Sequence, residues 1–549
     1  MTVIDHLKGQ NPEFLTLEVA FGRHVIAGDL AKSKVTGTDP SHIVHVQHIL
    51  GEGFGQGWKE IVGAWFRGVN RDSTKFKFYP GIQSSGDSDP IQGVDTEFDQ
   101  DTPHSNTAWV RLECPNGSES GIPDFDTKNN PPEGAIFIVD CQTGDVYDDT
   151  GAVSASDVLL VNPADVIAFG CMVIQRYPSA RIDWAILDAL RSYCDETVTP
   201  DFTTLPQGVG LTGKYYDGNA FDTLVRSRVD PIVDFPLSSG VPELGLSPDD
   251  FSVRWEGKVR AEYTETYTFQ VIHDGGARLW VNDVLIIDQW GTTGTHTGNS
   301  ALTADQFYNI KLEWEDSTGD AEIRLQWSST SQPLETIPQD RLYPKDEAVK
   351  RFECHAAFTQ ATTFDDFLRQ VLFSCNGTFQ DAGGKLKFFS IDDLTHSFDF
   401  TESKILKNTF KFSPRFTQQE LLKLPNRFIA NGRDLNSRYI EAFDPQVFID
   451  LSDLQSLAGR IIEEVVQVGN TTRWQARRNL THYAKVRTTN LISEFEGMPD
   501  TLQVLPGDLV RVSHSVPGWT NKQFLCLEAT EKTMDRSADN RILKLLQWT

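Results

Sequence analysis

Apolar and polar side chains alternate along short segments between residues 211 and 343, and this period of two most constrains the fold. Such alternation is typical of strands buried on one face, because successive side chains point to opposite faces of a sheet. Several such strands in one stretch predict an antiparallel β-sandwich. The buried positions are expected at Tyr267, Phe269, Val271, Ile310, Leu312, Trp314, Ala321, Ile323, Leu325 and Trp327.

The first 160 residues favour strands as well. Apolar side chains alternate with polar or small ones from Leu15 to Phe21, around Val44 and Val46, and from Lys75 to Phe78. A glycine-rich stretch at 51–57 lies between two of these segments and predicts a turn, since no Lys and Ser pair of a phosphate loop follows it.

Amphipathic helices are predicted on both sides of the alternating block. Trp184, Leu187, Leu190 and Cys194 recur at helical spacing after Asp183, a candidate N-cap. Thr363 and Asp366 form a capping pair that opens a second helix, over 363–375. We expect these two helices to belong to one α+β domain that the sandwich interrupts, because insertions are tolerated at exposed loops with adjacent ends.

The C-terminal part predicts a hairpin, two more helices and a strand. Gly383-Gly384 suits a two-residue hairpin turn. Ser452 and Gln455 predict a helix whose stripe is Leu454, Leu457, Ala458, Ile461, Ile462 and Val465. Another helix is expected over 471–486, and Pro506-Gly507-Asp508 predicts a turn into a strand over 509–512.

These patterns predict a chain that is mainly β with α+β parts. The expected domains are a β-rich N-terminal domain at 1–160, an α+β domain at 161–207 and 345–400, the inserted sandwich at 208–344, and C-terminal domains at 401–549.

Charge and cysteine content exclude several classes of protein. The formal net charge of -27 argues against stable nucleic-acid binding, which needs clustered Lys and Arg, but suits the wall of a channel through which DNA passes. The seven cysteines are widely spaced without a C-x-x-C motif, which favours free, buried thiols in a reducing cytoplasm. We expect neither a signal peptide nor a membrane span, since no apolar run reaches about 18 residues.

An ordered series of short motifs covers residues 150–205 and 345–549. Together it resembles the hub, or host-specificity, protein at the tail tip of lambda-like long-tailed bacteriophages. The motifs are Asn162-Pro163-Ala164, Arg181-Ile182-Asp183-Trp184, Tyr193-Cys194-Asp195-Glu196, Arg351-Phe352-Glu353-Cys354, Cys375-Asn376-Gly377, Gly383-Gly384-Lys385-Leu386, Leu424-Pro425-Asn426-Arg427, Ala476-Arg477-Arg478 and Leu505-Pro506-Gly507-Asp508-Leu509-Val510.

This resemblance implies a structural virion protein, made in the host cytoplasm, that caps the tail tube as a homotrimer. Its tube-like β-barrel domains would surround the DNA exit channel. Its implied partners are the tail tube or distal tail protein ring, the tape-measure protein, and tail fibre or tip proteins. The sequence ends at Trp548-Thr549, without the long C-terminal extension that serves longer family members as a central fibre.

A second resemblance covers residues 208–344. This block is similar to the carbohydrate-binding β-sandwich named after the fourteen-kilodalton piece of anthrax protective antigen. The motifs that carry the resemblance are Gly210–Tyr216, Phe251–Gly257, Tyr267-Thr268-Phe269, His273-Asp274-Gly275, Leu279-Trp280-Val281 and Ile286–Trp290.

Members of that family occur in toxins, glycosidases and adhesins, and some hold sugar through calcium bound by an acidic pair. Here the loop reads His273-Asp274-Gly275-Gly276, with one acid. Asp274 therefore also suits a turn residue that bonds its own backbone. We predict no resident cofactor, with calcium at the sandwich as the alternative, and glycan contacts at His273, Asp274, Trp280, Asp288 and Trp290. Trp255, Trp314 and Trp327 offer stacking faces too, but are expected mainly in the core.

Catalysis is not expected, because no G-x-S-x-G, H-E-x-x-H or P-loop motif is present. His42, His45 and His48 could share a helix face and bind a metal, but their alternating context favours a strand, which places His45 on the opposite face from His42 and His48. The rival interpretations are a secreted carbohydrate-active enzyme and a surface adhesin, each using the sandwich to bind glycan. Both predict a signal peptide, and the enzyme also predicts a catalytic carboxylate pair.

Overall fold

The computed structural model describes residues 143–549 with gaps and, before residue 143, only the backbone of strands. The gaps are 206, 239–241, 244–245, 248, 359–361, 395–396, 433–445, 452–458, 467–468, 471, 533–539 and 549. The chain is mainly β with α+β parts, and it divides into two compact units. The first comprises Met1–Glu196 with Lys350–Thr549, and the second is Thr197–Val349.

The N-terminal part of the first unit is built from antiparallel strands. One sheet has the order β4-β5-β9-β8, and another has the order β11-β10-β6-β7 with β3 also paired to β10. His45 and His48 lie on β5, as the strand interpretation requires, whereas His42 lies outside the described residues. The strands are β1 Phe14–Leu15, β2 Val19–Ala20, β3 Arg23–Ala27, β4 Asp29–Thr36, β5 Ile43–Glu52, β6 Trp58–Phe66, β7 Val69–Arg71, β8 Phe76–Tyr79, β9 Thr107–Pro115, β10 Ala135–Tyr147 and β11 Val153–Leu159.

Three helices of the first unit pack together. They are α1 Pro163–Phe169, α2 Trp184–Asp195 and α3 Phe364–Ser374. The predicted apolar stripe of α2 is buried, but the Asp183 side chain makes no capping hydrogen bond. The Thr363 hydroxyl does cap α3, because it accepts a hydrogen bond from the Asp366 amide. All three helices contribute to one hydrophobic core, so segments before and after the second unit share an interior.

The flanks of the interruption meet within the first unit. The Arg351 amide donates to the Glu196 carbonyl (2.8 Å) and the Phe352 amide to the Cys194 carbonyl (3.1 Å). Within the second unit, the amides of Val209 and Gly210 both donate to the Leu342 carbonyl. Adjacent ends on each side are what an insertion into a loop requires.

The rest of the first unit contains a six-stranded sheet, β30-β36-β37-β38-β35-β31, and a three-stranded sheet, β33-β32-β34. The other α-helices among the described residues are α4 Gln418–Leu421 and α5 Arg473–Thr488. The strands are β25 Val349–Lys350 at the junction, β26 Ala357–Phe358, β27 Thr362–Thr363, β28 Gly377–Ala382, β29 Lys385–Ser390, β30 Phe398–Phe400, β31 Lys411–Pro414, β32 Arg427–Asn431, β33 Phe448–Asp450, β34 Ile462–Val466, β35 Leu491–Gly497, β36 Leu509–His514, β37 Trp519–Lys532 and β38 Asn540–Gln547.

The structure confirms most of the predicted C-terminal elements and corrects one. The hairpin at Gly383-Gly384, the helix α5 and the strand β36 are present. The helix predicted from Ser452 is wrong at its C-terminal end, because Ile462–Val466 is a strand that pairs in parallel with β32. The start of that predicted helix, at 452–458, lies outside the described residues. Gly459 has a positive φ of 73°, which ends helical geometry, and β-branched residues then favour a strand.

The described cysteines lie in the interior. Cys171, Cys194, Cys354, Cys375 and Cys526 are free and buried, as predicted. Burial raises the thiol pKa of Cys171, Cys354 and Cys526 to about 12. Among the described residues, none of the helices is long and apolar enough to cross a membrane.

The second unit is an antiparallel sandwich of two sheets. The front sheet has the order β14-β13-β16-β21-β18-β19, with β24 on β16; the back sheet has the order β15-β22-β17-β20, with β23 on β22. All ten positions predicted to be buried are in the core. The strands are β12 Thr197–Val198, β13 Leu211–Asp217, β14 Thr223–Asp230, β15 Asp234–Ser238, β16 Phe251–Arg260, β17 Glu265–His273, β18 Gly276–Val281, β19 Val284–Gln289, β20 Gly294–Leu302, β21 Phe307–Asp316, β22 Ala321–Ser328, β23 Glu335–Thr336 and β24 Leu342–Pro344.

Candidate functional site

The candidate site is one end of the sandwich, where the turn at 273–276 joins the two sheets. Register places Gly276 opposite Glu315 on β21, and His273 opposite Gly294 on β20. Gly275 has a φ of 68°, and a Cβ there would lie 2.1 Å from the Glu315 carbonyl oxygen. The turn can therefore lie this close to β21 only with glycine at this position. We call this region, with the neighbouring residues 290–293 and 316, the loop end.

Asp274 stabilises the turn. One of its carboxylate oxygens accepts from the Gly275 amide (3.0 Å) and from the Thr293 hydroxyl (2.6 Å). Its carbonyl oxygen accepts from the Trp314 indole (2.7 Å). Asp274 thus bonds its own backbone, as a turn residue does.

His273 lies inside the sandwich. Its Nδ1 is 3.1 Å from the Gly275 carbonyl oxygen, and its Nε2 is 3.1 Å from Nδ1 of His296. Burial lowers the pKa of His273, and the neighbouring His296 lowers it further. The neutral ring therefore supports the turn from within.

Asp316 is the least satisfied group at the loop end, and the sequence did not single it out. Its side chain is fully buried, and neither carboxylate oxygen has a hydrogen-bond partner among the described residues. Burial, followed by the charges of Asp274, Asp249 and Glu315, raises the pKa of Asp316 to about 6. The only sequence signal was the acidic pair Glu315-Asp316 at a strand end.

The acidic residues around Asp316, which are Asp249, Asp274 and Glu315, would attract a cation by their charge, but they do not supply enough ligands to hold one. Calcium needs about six to eight oxygen ligands. The carbonyl of Asp274 is already bonded to Trp314, and the described residues include no group of three or more His, Cys, Asp or Glu side chains that could hold a metal ion. The side chains present therefore do not make a calcium site by themselves.

Half-buried aromatic rings border the loop end on the outer face of the front sheet. The rings of Phe221 and Trp290 have centroids 6.0 Å apart, and Tyr216 lies edge-on to Phe221 at 5.4 Å. A Cβ on Gly276 would lie 3.1 Å from the Trp290 Cα, so Trp290 is next to the turn. Phe221 has a φ of 62°, and such strain in a bulky residue is typical of functional sites.

Two arginines cover these rings. The Arg254 guanidinium lies 4.2 Å from the Phe221 ring centroid, and that of Arg278 lies 4.6 Å from the Trp290 centroid. Arg278 also donates to Asp288 at 2.8 Å. Asp288 and Trp290 are thus linked through Arg278. The resulting surface has aromatic faces and hydrogen-bond donors, the two features that sugar rings need.

The other tryptophans lie elsewhere. Trp255, Trp314 and Trp327 are buried in the core and offer no face to a ligand. Trp280 is half-buried on the outer face of β18, and it lies four residues along that strand from Gly276. The structure therefore brings together His273, Asp274, Asp288 and Trp290 of the predicted residues and separates Trp280 from them.

Comparison with known proteins identifies the second unit. The sequence model of the PA14 domain matches residues 207–341. The anti-sigma-I factor RsgI3 of Acetivibrio thermocellus is 43% identical over 141 residues, which are 25% of this chain and 22% of that protein. This chain thus corresponds to about a fifth of that relative.

Two solved structures are also similar. The PA14 sugar-binding domain from an RTX adhesin covers 25% of this chain and 99% of its own, at 19% identity and a TM-score of 0.22. A chain of the virion of a native gene transfer agent particle covers 97% of this chain and 85% of its own, at 12% identity and a TM-score of 0.46. By the family match, residues 207–341 are a PA14 domain.

Proposed function

We propose that this protein is the hub of a phage tail tip, and that its PA14 domain binds a carbohydrate of the host surface through the loop end. As a hub, three copies would close a ring at the end of the tail tube. The ring would contact the distal tail and tape-measure proteins above and fibre or tip proteins below. The proposal includes no catalytic role and no resident cofactor.

The observation that carries the hub proposal is the common core of the two stretches with hub-like motifs. Leu160, Trp184 and Leu187 pack in one cluster with Phe352 and Phe367. A single scaffold interrupted by a PA14 domain is what the motif series predicts. A secreted enzyme with a separate binding module would not need the sandwich between two halves of one core.

The acidic composition supports a channel role. A net charge of -27 creates a negative potential that repels phosphates within a Debye length, about 8 Å at physiological salt. DNA could then pass a ring of such subunits without adhering to it.

The glycan proposal depends on the aromatic surface of the loop end. Trp290 and Phe221 supply half-buried rings, while Arg254 and Arg278 supply donors beside them. Sugar hydroxyls both donate and accept hydrogen bonds, and sugar C–H groups pack on aromatic faces.

Light scattering of the purified full chain tests the hub. We expect a mass of three chains or a larger ring, and a strict monomer at high concentration would contradict the proposal.

A glycan array tests the PA14 domain separately. We expect selective retention of the full chain, with about tenfold weaker binding after Trp290→Ala, equivalent to about 1.4 kcal/mol. Tyr263→Ala is the matched control, since Tyr263 is an exposed aromatic residue of the same unit. Equal losses in the two variants would rule out the loop end as the binding site.

A further inference from the structure

A groove of about 460 Å³ lies on the outer face of the front sheet, around Trp280. Its volume is in the usual range of ligand sites, about 300–1,000 Å³. The residues that line it are Glu256, Gly257, Trp280, Asp283, Asn309, Ile310, Lys311 and Lys345. We call it the Trp280 groove.

Strand register builds the floor of the groove. Lys311 on β21 is paired with Trp280 on β18 and with Glu256 on β16, so the three side chains form one row across three neighbouring strands. Leu279 and Val281 are buried, so Trp280 must point to the opposite, outer face. The pairing of β16, β21 and β18, rather than a loop, therefore fixes the positions of these three side chains.

One end of the groove is closed by β24. Gly257 is paired both with Ile310 and with Pro344, and a Cβ on it would lie 2.1 Å from the Tyr343 carbonyl oxygen. The missing side chain lets β24 approach β16 closely. Lys345, which follows β24, is thereby placed at the groove, where its ammonium lies 2.8 Å from the Glu256 carboxylate.

The polar groups of the groove are balanced in charge. Lys311 and Lys345 provide two ammonium groups, while Glu256 and Asp283 provide two carboxylates. Asn309 adds an amide that donates to Asp283 at 3.2 Å. This balance favours a neutral ligand, because an anion or a cation would meet as much repulsion as attraction.

Trp280 gives the groove its aromatic surface. The Lys311 ammonium lies 3.6 Å from the ring centroid, and also 3.4 Å from the Glu313 carboxylate. The flexible lysine thus has a second partner to which it can turn when a ligand covers the ring. An aromatic face surrounded by closely spaced donors and acceptors matches a polyhydroxylated ring, whose hydroxyls both donate and accept.

We infer that the Trp280 groove is a second saccharide site, specific for neutral sugars and separate from the loop end. Trp280 is four residues from Gly276 of the turn on β18, about 13 Å along a strand, and two residues from Arg278, about 7 Å, so the two sites are neighbours on one face of the sheet. The inference extends the proposed glycan binding but does not use any loop-end residue.

Ligand-observed NMR with the full chain tests this inference. The probes are neutral disaccharides (lactose, maltose, cellobiose and N,N′-diacetylchitobiose) and the acidic disaccharide of galacturonic acid. We expect saturation transfer to at least one neutral probe and none to the acidic one. Binding should weaken about tenfold in Trp280→Ala and remain within about threefold in Trp280→Phe, which keeps an aromatic face.

Asp283→Gly provides a second variant whose folding is not in question, because Asp283 is an exposed turn residue with a φ of 63°, which glycine adopts without strain. It should also weaken the neutral probe. Binding that is unchanged in both Trp280→Ala and Asp283→Gly, or binding of the acidic probe alone, would overturn the inference.

Trp290→Ala separates the two sites. If a probe is lost in Trp290→Ala and unchanged in Trp280→Ala, the loop end binds and the groove does not. If the reverse is found, the groove holds the sugar and the loop-end proposal fails. Absence of transfer to every neutral probe overturns the groove inference.

Discussion

Replacing Asp316 by asparagine should stabilise the PA14 domain at neutral pH. The pKa of this carboxyl is raised from 3.8 to about 6 by burial and by neighbouring acids. One pKa unit corresponds to about 1.4 kcal/mol, so ionisation of Asp316 lowers the free energy of unfolding by about 3 kcal/mol at pH 7. A buried amide keeps part of its own desolvation cost, and we therefore expect a net gain of about 1–2 kcal/mol in Asp316→Asn.

The sign of the pH dependence follows from the raised pKa. Between pH 3.8 and about 6 the folded state holds the Asp316 proton more tightly than the unfolded state does. The contribution of this group to stability is therefore complete below pH 3.8 and is lost as the pH rises to about 6. The advantage of Asp316→Asn over the wild type should be small at pH 4 and should grow to its full value by pH 7.

Urea denaturation of the full chain at several pH values, followed by tryptophan fluorescence, measures this difference. Trp314 lies two residues from Asp316 in the core and so should report its unfolding. Asp320→Asn is the matched control, because Asp320 is exposed in the loop that directly follows β21. A wild type that is more stable than Asp316→Asn at pH 7, or a difference that does not change with pH, would refute this account of the buried carboxylate.

Other changes have equally definite outcomes. Gly275→Ala should destabilise the PA14 domain by more than about 2 kcal/mol in urea denaturation, because of the positive φ and the contact with the Glu315 carbonyl; a neutral effect would contradict the geometry of the turn. Deleting Thr197–Val349 and joining the flanks with a short Gly-Ser linker should leave the first unit folded, with a Tm within about 5 °C in calorimetry; aggregation would argue against adjacent flanks. The thiols of Cys171 and Cys354 should not react with an aromatic disulfide reagent until the protein is denatured, since burial keeps them protonated; rapid reaction in the native state would show that they are accessible.

Local patterns in the sequence determined the secondary structure of the sandwich and of the helices around it. Every residue that the period of two at 267–271, 310–314 and 321–327 predicted to be buried is in the core, but Glu313, Glu315 and Asp316 on β21 are buried as well. The stripe of α2 was equally clear, since a helix that packs on one side needs apolar residues three and four apart. At 462–466 the local pattern failed, because the pairing with β32 lies more than thirty residues away in sequence.

Only the tertiary structure decided which chemical groups meet. Trp280 and Trp290 belong to similar motifs, but they lie at different places on the sheet. Trp280 lies on β18 and lines the groove, whereas Trp290 follows β19, which runs antiparallel to β18 and returns the chain to the 273–276 turn. Asp316 resembles any other acid in the sequence, and its burial without a hydrogen-bond partner among the described residues accompanies the packing of β21 against that turn. Periodicity records which face of a strand is buried, whereas a site is made by residues distant in the chain, and their distances depend on the register and packing of whole sheets.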